Sequence, residues 1–494
     1  MNFRKKYSIF LTFTLGIFIG LLLIAINKTF FSGSLLYSQA TPTNSIQNIE
    51  DDNYFKYYKM FTDAYKIIKR EFFDSKKTTA KNLLYGAIRG MLESLEDPYS
   101  IYMEPEFAKE FNTEMSGNFS GVGLQVDLRD GWPTVISPLE DTPAWKAGIK
   151  PGDKIIEVEG ISTKNTPIAE IRDKLRGNPG TKVTITILRE GIKEPFKITI
   201  TREVIKIKTV KTEVINTKNK KIGYLKLLEF TLPTAEDFKK ELSTLLDKKI
   251  DGLIIDLRYN PGGLITSVVK IVDYFQNEGL IVYTRGKTEE NNSEFYASQE
   301  NTFVPLNLPL VVLVNEGSAS ASEIFTGSMK DTGRGVIVGT KTFGKGSVQK
   351  TFQFQEDGSM IKYTVARYFT PSGKCIDKEG IEPDITEVMW FDKLSEEEKK
   401  SIININNTNL ISEFVKKNKE ITEEKKKDFI LSLEKQGYKI SRITLDYMLW
   451  MKKIENNLPP VYNLEFDNQL SKAIEVLENY NKYKKNYKIY KEPK

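Results

Sequence analysis

Leu310-Val-Val-Leu-Val-Asn-Glu-Gly-Ser-Ala-Ser-Ala-Ser-Glu-Ile-Phe325 runs from five unbroken apolar residues, through small residues, into a second apolar segment. Val and Leu without polar alternation suit a strand buried on both faces. Ile324 to Met329 then begins a helix, so Ser318, Ser320 and Ser322 fall at a strand-to-helix junction. Gly252-Leu-Ile-Ile-Asp-Leu257, with its continuation Asp256-Leu-Arg-Tyr-Asn-Pro-Gly-Gly-Leu264, repeats the strand–turn–helix pattern. Such units define an α/β domain from about Lys221 to Val388. They place ligands at the carboxyl ends of strands, beside helix N-termini.

The chain contains no histidine. A serine nucleophile in it cannot use an imidazole base, and HExxH zinc sites are excluded. Lysine is the natural remaining base. Phe343-Gly-Lys-Gly346 sets Lys345 between two glycines, and the expected pair is Ser320 as nucleophile and Lys345 as base. Val348, Phe352 and Phe354 alternate with polar residues, which suggests a strand on which Lys345 and Gln349 share a face. Gln349 could then orient the amine. The lysine pKa must fall from about 10.4 towards about 7–8, which desolvation achieves. In the Pro-Gly-Gly turn, the N–H of Gly262 or Gly263, together with that of Ala321, can stabilise an oxyanion. Each feature also has a plain structural reading. Ser320-Ala-Ser-Glu323 fits a capping box, Lys345 a surface lysine, and Pro-Gly-Gly an ordinary turn.

At 494 residues the chain is long enough for two to four domains. A net charge of +6 does not point to nucleic acid, and the single Cys375 allows no internal disulfide. A basic start, Met1 to Lys6, precedes 18 uncharged residues, Ile9 to Ile26. That length lies between a signal-peptide core and a membrane span, and the basic flank favours an N-inside orientation. Ser38-Gln39-Ala40 is a poor cleavage site, so an uncleaved anchor is favoured over a cleaved signal. Tyr54 to Lys69 and Thr79 to Leu95 read as helices. From Gly117 short strand-like runs follow: Val122–Val126, Thr134–Ile136, Lys154–Val158, Val183–Leu188 and Phe196–Ile200, interrupted by a helix at Ile168–Leu175. In this β-rich module the amides of Gly121-Val-Gly-Leu124 can capture a terminal carboxylate, while a strand edge pairs with an extended peptide. The last hundred residues are rich in Lys, Asn and Glu. Lys482 to Lys494 holds six lysines and one glutamate, which suits a solvated surface or contact with an acidic partner or anionic membrane.

Residues 119 to 203 resemble a PDZ domain of the bacterial protease type, with Ser137-Pro-Leu-Glu-Asp-Thr-Pro-Ala144 and Ala147-Gly-Ile-Lys-Pro-Gly-Asp-Lys-Ile-Ile156 as further signatures. Residues of about 55 to 390 resemble the carboxyl-terminal processing proteases, the S41 serine peptidase family. The resemblance implies a multidomain α/β protein with a crotonase-like protease core, a small PDZ domain, helical N- and C-terminal regions and an N-terminal membrane anchor. The expected boundaries are 1–7 cytoplasmic, 8–27 anchor or signal peptide, 28–53 linker, 54–116 helical region, 117–205 PDZ domain, 206–390 protease core and 391–494 Lys-rich helical region. The family's Ser-Lys dyad falls on Ser320 and Lys345, its supporting glutamine on Gln349, and its oxyanion donors on Gly262 or Gly263 and Ala321. Gly121, Val122, Gly123 and Leu124 fall in the tail-binding loop. A substrate-sensing arginine is best matched by Arg176, in Leu175-Arg-Gly-Asn-Pro-Gly180. No cofactor or metal is implied. The expected partners are proteins with accessible apolar C-terminal tails and the cytoplasmic membrane, with the catalytic part on its extracytoplasmic side. The helical ends are consistent with a homodimer. A penicillin-binding-protein reading is weak: S-x-x-K occurs four times, at Ser267, Ser347, Ser359 and Ser432, without Ser-Asp-Asn or Lys-Thr-Gly. A PDZ adaptor with an inactive core is the other alternative.

Overall fold

The computed structural model describes residues 53–493, apart from 140, 151, 419 and 455–459. The expected stretches 1–7 and 8–27 and most of the linker 28–53 lie outside the described residues. Among the described residues no helix is long and apolar enough to cross a membrane. The chain forms two compact units, residues up to 108 with 349–364, and residues 109–348 with 365–494.

In the first unit, helix Tyr54–Glu71 is followed by helix Ala80–Glu93. Thr79 Oγ1 caps the second by accepting the Asn82 N–H at 3.1 Å, so this helix starts one residue later than expected. Residues 349–364 form a hairpin closed by the Phe354 N–H on the Ser359 carbonyl at 2.8 Å. Strand Ile101–Met103 pairs antiparallel with Met360–Lys362, and the Tyr85 hydroxyl bonds the Asp357 carboxylate. These bonds hold the hairpin in the same compact unit as the two N-terminal helices.

In the second unit, strands Leu124–Arg129, Trp132–Pro138, Lys154–Val158, Lys182–Leu188 and Phe196–Thr201 form an antiparallel sheet in that order. Val135, Ile155, Val183, Ile185 and Ile187 are buried against Ile171 of helix Ile168–Leu175. The first strand begins at Leu124, not Val122. Gly123 has φ 81°, outside the extended region, and a Cβ there would lie 2.3 Å from the Thr142 side chain.

A second sheet has the order Val210–Asn216, Lys221–Leu227, Gly252–Asp256, Leu310–Val314, Val336–Gly339, Ile385–Thr386. All its pairings are parallel except the first. Helices Thr234–Asp247, Ile265–Asp273 and Ala321–Thr332 cover one face through Phe238, Val268, Ile271, Phe325 and Met329. Helix Asn468–Glu478 covers the other, where Leu470, Ala473, Val476 and Leu477 meet Tyr224, Ile254, Val311 and Val338. Burial on both faces is why Leu310–Val314 carries no polar alternation. The C-terminal region is therefore not a uniform solvated surface. Part of it is the sheet's second helical layer, and residues 396–454 form four helices around their own small core of Ile405, Leu433 and Leu445.

Candidate active site

Strand Leu310–Val314 ends in a turn pinned by its own serines. Ser318 Oγ donates to the Leu257 carbonyl at 2.8 Å and accepts the Asn315 N–H at 2.9 Å. Ser322 Oγ donates to the Asn260 carbonyl at 3.0 Å, which also accepts the Ala319 N–H at 3.0 Å. Both serines are fully buried and occupied with structural bonds, whereas Ser320 between them is partly exposed. Ser320 has φ 54° and ψ −113°. An ordinary N-cap residue sits in the β region. A non-glycine residue held here is strained, and such strain persists only where the surroundings enforce it.

Glu323 does the enforcing. It is completely buried, and its carboxylate accepts four hydrogen bonds. Oε2 takes the Ser320 N–H at 2.9 Å and the Lys345 N–H at 2.8 Å. Oε1 takes the Thr342 hydroxyl at 2.6 Å and the Gly344 N–H at 2.7 Å. Burial pushes its pKa upward, and the four donors oppose that rise. The Ser320–Glu323 bond is the one a capping box predicts, but the same carboxylate also ties the Lys345 backbone to the Ser320 backbone. Tyr368 makes a second tie. Its buried hydroxyl lies 3.1 Å from the Ser320 carbonyl and also bonds the Lys345 carbonyl. Burial and the Glu323 charge push this phenol well above its ordinary pKa, so it stays a donor. Glu323 was visible in the sequence only as a capping residue. Tyr368 carried no signal, because nothing local links it to positions 320 and 345.

The Pro-Gly-Gly turn packs directly on this junction. A Cβ on Gly262 would lie 2.7 Å from Ser320 Cβ and 2.9 Å from the Ala321 nitrogen, and one on Gly263 would lie 2.2 Å from the Phe230 carbonyl oxygen. The Gly262 N–H is committed to Asn260 Oδ1 at 2.9 Å. Of the two glycines this leaves Gly263 as a donor. Among the described residues neither the Gly263 nor the Ala321 N–H has a protein acceptor. Lys345 is half-buried and lies two residues before strand Ser347–Gln353, which carries Gln349. Gln349 belongs to the other unit, where its amide donates to Thr364 Oγ1 at 3.3 Å.

Behind the turn, Asp256 is fully buried with Arg258 on both its oxygens, at 2.9 and 2.6 Å, and the Tyr224 hydroxyl at 2.6 Å. Burial alone would raise the Asp256 pKa; the Arg258 charge and hydrogen bonds outweigh it and the net shift is downward. Arg258 also grips Asp467 at 2.8 and 2.7 Å.

In the β-rich module, Leu124–Arg129 is the edge strand, beside helix Ile168–Leu175. The Gly121–Leu124 loop is fixed by the Ala144 N–H on the Val122 carbonyl at 2.8 Å and the Leu139 N–H on the Gly123 carbonyl at 2.9 Å. Arg176 closes the helix against Gly121. Its guanidinium lies over the Phe119 ring at 5.8 Å, and Glu110 holds it at 4.0 Å and Arg172 at 3.5 Å.

Residues 221–387 match the family model of peptidase family S41, residues 134–189 that of a PDZ domain, and residues 22–107 that of the activating protease CtpB N-terminal domain. The chain is 39% identical over 364 residues to the carboxy-terminal-processing protease of Bartonella bacilliformis, covering 72% of this chain and 80% of that protein. It is 35% identical over 370 residues to the carboxy-terminal processing protease CtpB of Bacillus subtilis, covering 75% and 74%. With CtpA of Bacillus subtilis it shares 37% identity over 322 residues, covering 65% and 67%. The chain therefore belongs to the carboxy-terminal processing proteases of peptidase family S41, serine-type hydrolases with a PDZ domain.

Proposed function

We propose that Ser320 is the nucleophile and Lys345 the general base and acid of this protease. The observation that carries the reading is the strained, partly exposed Ser320, whose backbone is tied to that of Lys345 through Glu323. The lack of histidine supports it. Neutral Lys345 takes the hydroxyl proton as Ser320 attacks the scissile carbonyl. The tetrahedral oxyanion forms against the Gly263 and Ala321 N–H groups. The protonated amine then gives its proton to the leaving amide nitrogen, and in the second half-reaction it activates the water that releases the acyl-enzyme.

The PDZ domain selects the substrate by its tail. An extended C-terminal peptide adds to the free edge of Leu124–Arg129, its carboxylate on the Gly121–Leu124 amides and its apolar side chains against helix Ile168–Leu175. Arg176 then reads the arriving tail. The apolar stretch Ile9–Ile26 anchors the enzyme with its catalytic part outside the cytoplasm. Helix Tyr54–Glu71, which buries none of its residues and leaves Phe55 82% exposed, is read as a self-association surface. Sedimentation of a monomer at micromolar concentration would remove that last element.

The test uses the full-length chain in neutral detergent. An unfolded protein ending in small apolar residues should be cleaved faster than the same protein ending in charged ones. Ser320→Ala and Lys345→Ala should each abolish cleavage, by at least about a thousandfold. Normal turnover by Lys345→Ala near neutral pH would refute the dyad. Tail binding without cleavage by the parent chain would favour the adaptor reading.

A further inference from the structure

The lysine-rich C-terminal segment is not used by the protease reading, yet it folds back onto the core. The Lys488 N–H bonds the Thr332 carbonyl at 2.8 Å, and the Tyr490 carbonyl accepts the Leu280 N–H at 2.6 Å. With Lys220, the turn Leu306–Pro309 and Arg334, this segment bounds a cavity of about 600 Å³, within the range of small-ligand sites. Five cationic side chains line it, Lys220, Arg334, Lys482, Lys484 and Lys485, against one carboxylate, Glu478.

Arg334 is the unusual member. It is only 4% exposed. Its guanidinium is held by three backbone carbonyls, of Phe275 at 3.2 Å, Leu308 at 3.1 Å and Pro305 at 3.1 Å. Carbonyl dipoles orient the cation but do not neutralise it, and two of its five N–H donors remain. Burial pulls its pKa down, and the nearby Tyr480 and Tyr487 phenols oppose this only in part. Among the described residues, Arg334, Lys482 and Lys484 have no carboxylate partner. Lys485 is paired with Asp384, and Lys220 Nζ donates to the Leu477 carbonyl at 2.5 Å. A buried cation without a counter-ion is unfavourable, and a bound anion would offset that cost.

We propose that this cavity binds a phosphate-bearing anion of pyrophosphate size, with Arg334 as its fixed charge and Lys482 and Lys484 as its exposed ones. Asn307, Asn479 and Asn481, which also line it, offer neutral donors to the phosphate oxygens. The proposal does not depend on the Ser-Lys reading, because none of the residues around Ser320 lines the cavity.

The test is calorimetric titration of the full-length chain in neutral detergent with sodium pyrophosphate, at constant ionic strength. One saturable site is expected, weakened at least about tenfold in Lys482→Gln/Lys484→Gln. Peptide cleavage by that variant should stay at the parent rate, which shows that it is folded. A parallel titration with glycerol phosphate represents a lipid headgroup. Tighter binding of glycerol phosphate assigns the site to a membrane lipid, and tighter binding of pyrophosphate assigns it to a free phosphate; both support it. No saturable heat with either probe, or equal affinity in the double variant, would overturn it.

Discussion

Glu323 carries four hydrogen bonds on two oxygens, and only an ionised carboxylate can accept all four. Glu323→Gln supplies one acceptor oxygen and turns an NH₂ towards N–H donors. It should lower kcat by about 10–100-fold through misplacement of Ser320 and Lys345, with KM little changed; single-turnover kinetics would show this. Tyr368→Phe should lower kcat about tenfold, since it removes the hydroxyl that ties the Ser320 and Lys345 carbonyls. Unchanged kcat in both variants would mean that the two ties are only structural. The pH profile belongs to this scale as well. The proposed Ser-Lys mechanism expects activity to fall as pH falls, because it needs Lys345 as a neutral amine. Glu323 acts on stability in the opposite sense. Its pKa is raised in the folded state, so its contribution is fully present at acid pH and is lost as pH rises through that raised value. Acid loss of activity should therefore precede unfolding, a separation that circular dichroism at each pH would reveal.

At the scale of elements, the helix Asn468–Glu478 is held to the sheet by packing and by charge. Leu477 is fully buried against the second face of the sheet, and a Cβ on Gly252 would lie 3.1 Å from it. Leu477→Ala should cost about 2–5 kcal/mol, read from the denaturant midpoint. The Asp256–Arg258–Asp467 cluster links this helix to the turn behind Ser320. Asp256 has a depressed pKa, so its share of stability is present above the ordinary carboxylate value of about 3.9 and is lost as pH falls through the depressed one. Removing Asp467 leaves Arg258 with Asp256 and Gln469 only, and Asp467→Ala should cost about 1–3 kcal/mol. If that variant also slowed cleavage without unfolding, the C-terminal helix would be supporting the Pro-Gly-Gly turn as well as the sheet.

At the scale of the whole molecule, the proposed reading puts tail selection on the Gly121–Leu124 loop and peptide hydrolysis on Ser320, separate parts of the second unit. A change in the tail-binding loop should therefore alter KM for tailed proteins more than kcat for a short peptide that does not need the loop. Gly123→Val is the sharpest such change, because φ 81° and the Thr142 side chain leave no room for a Cβ. It should weaken tail binding at least about tenfold and leave short-peptide cleavage close to the parent rate. Equal loss of both would mean that the PDZ domain is part of the catalytic architecture rather than a selector.

Much of this organisation was legible in the sequence, because it is written in local patterns. The apolar run Leu310–Val314, the helix Ile168–Leu175 and the strand Lys154–Val158 fall where periodicity placed them. The absence of histidine narrowed the chemistry before any fold was known. The sequence set three serines, Ser318, Ser320 and Ser322, at one junction and the reading favoured Ser320 among them. The structure separated them, because Ser318 and Ser322 use their hydroxyls on the carbonyls of Leu257 and Asn260, more than sixty positions away. Separation in sequence likewise hid the commitment of the second helical layer to Asn468–Glu478, the placement of hairpin 349–364 in the N-terminal unit, and the ties made by Tyr368. Local propensity and side-chain chemistry belong to the chain itself. Which buried polar group finds which partner is settled only when the core closes, since an unpaired one is too costly to keep.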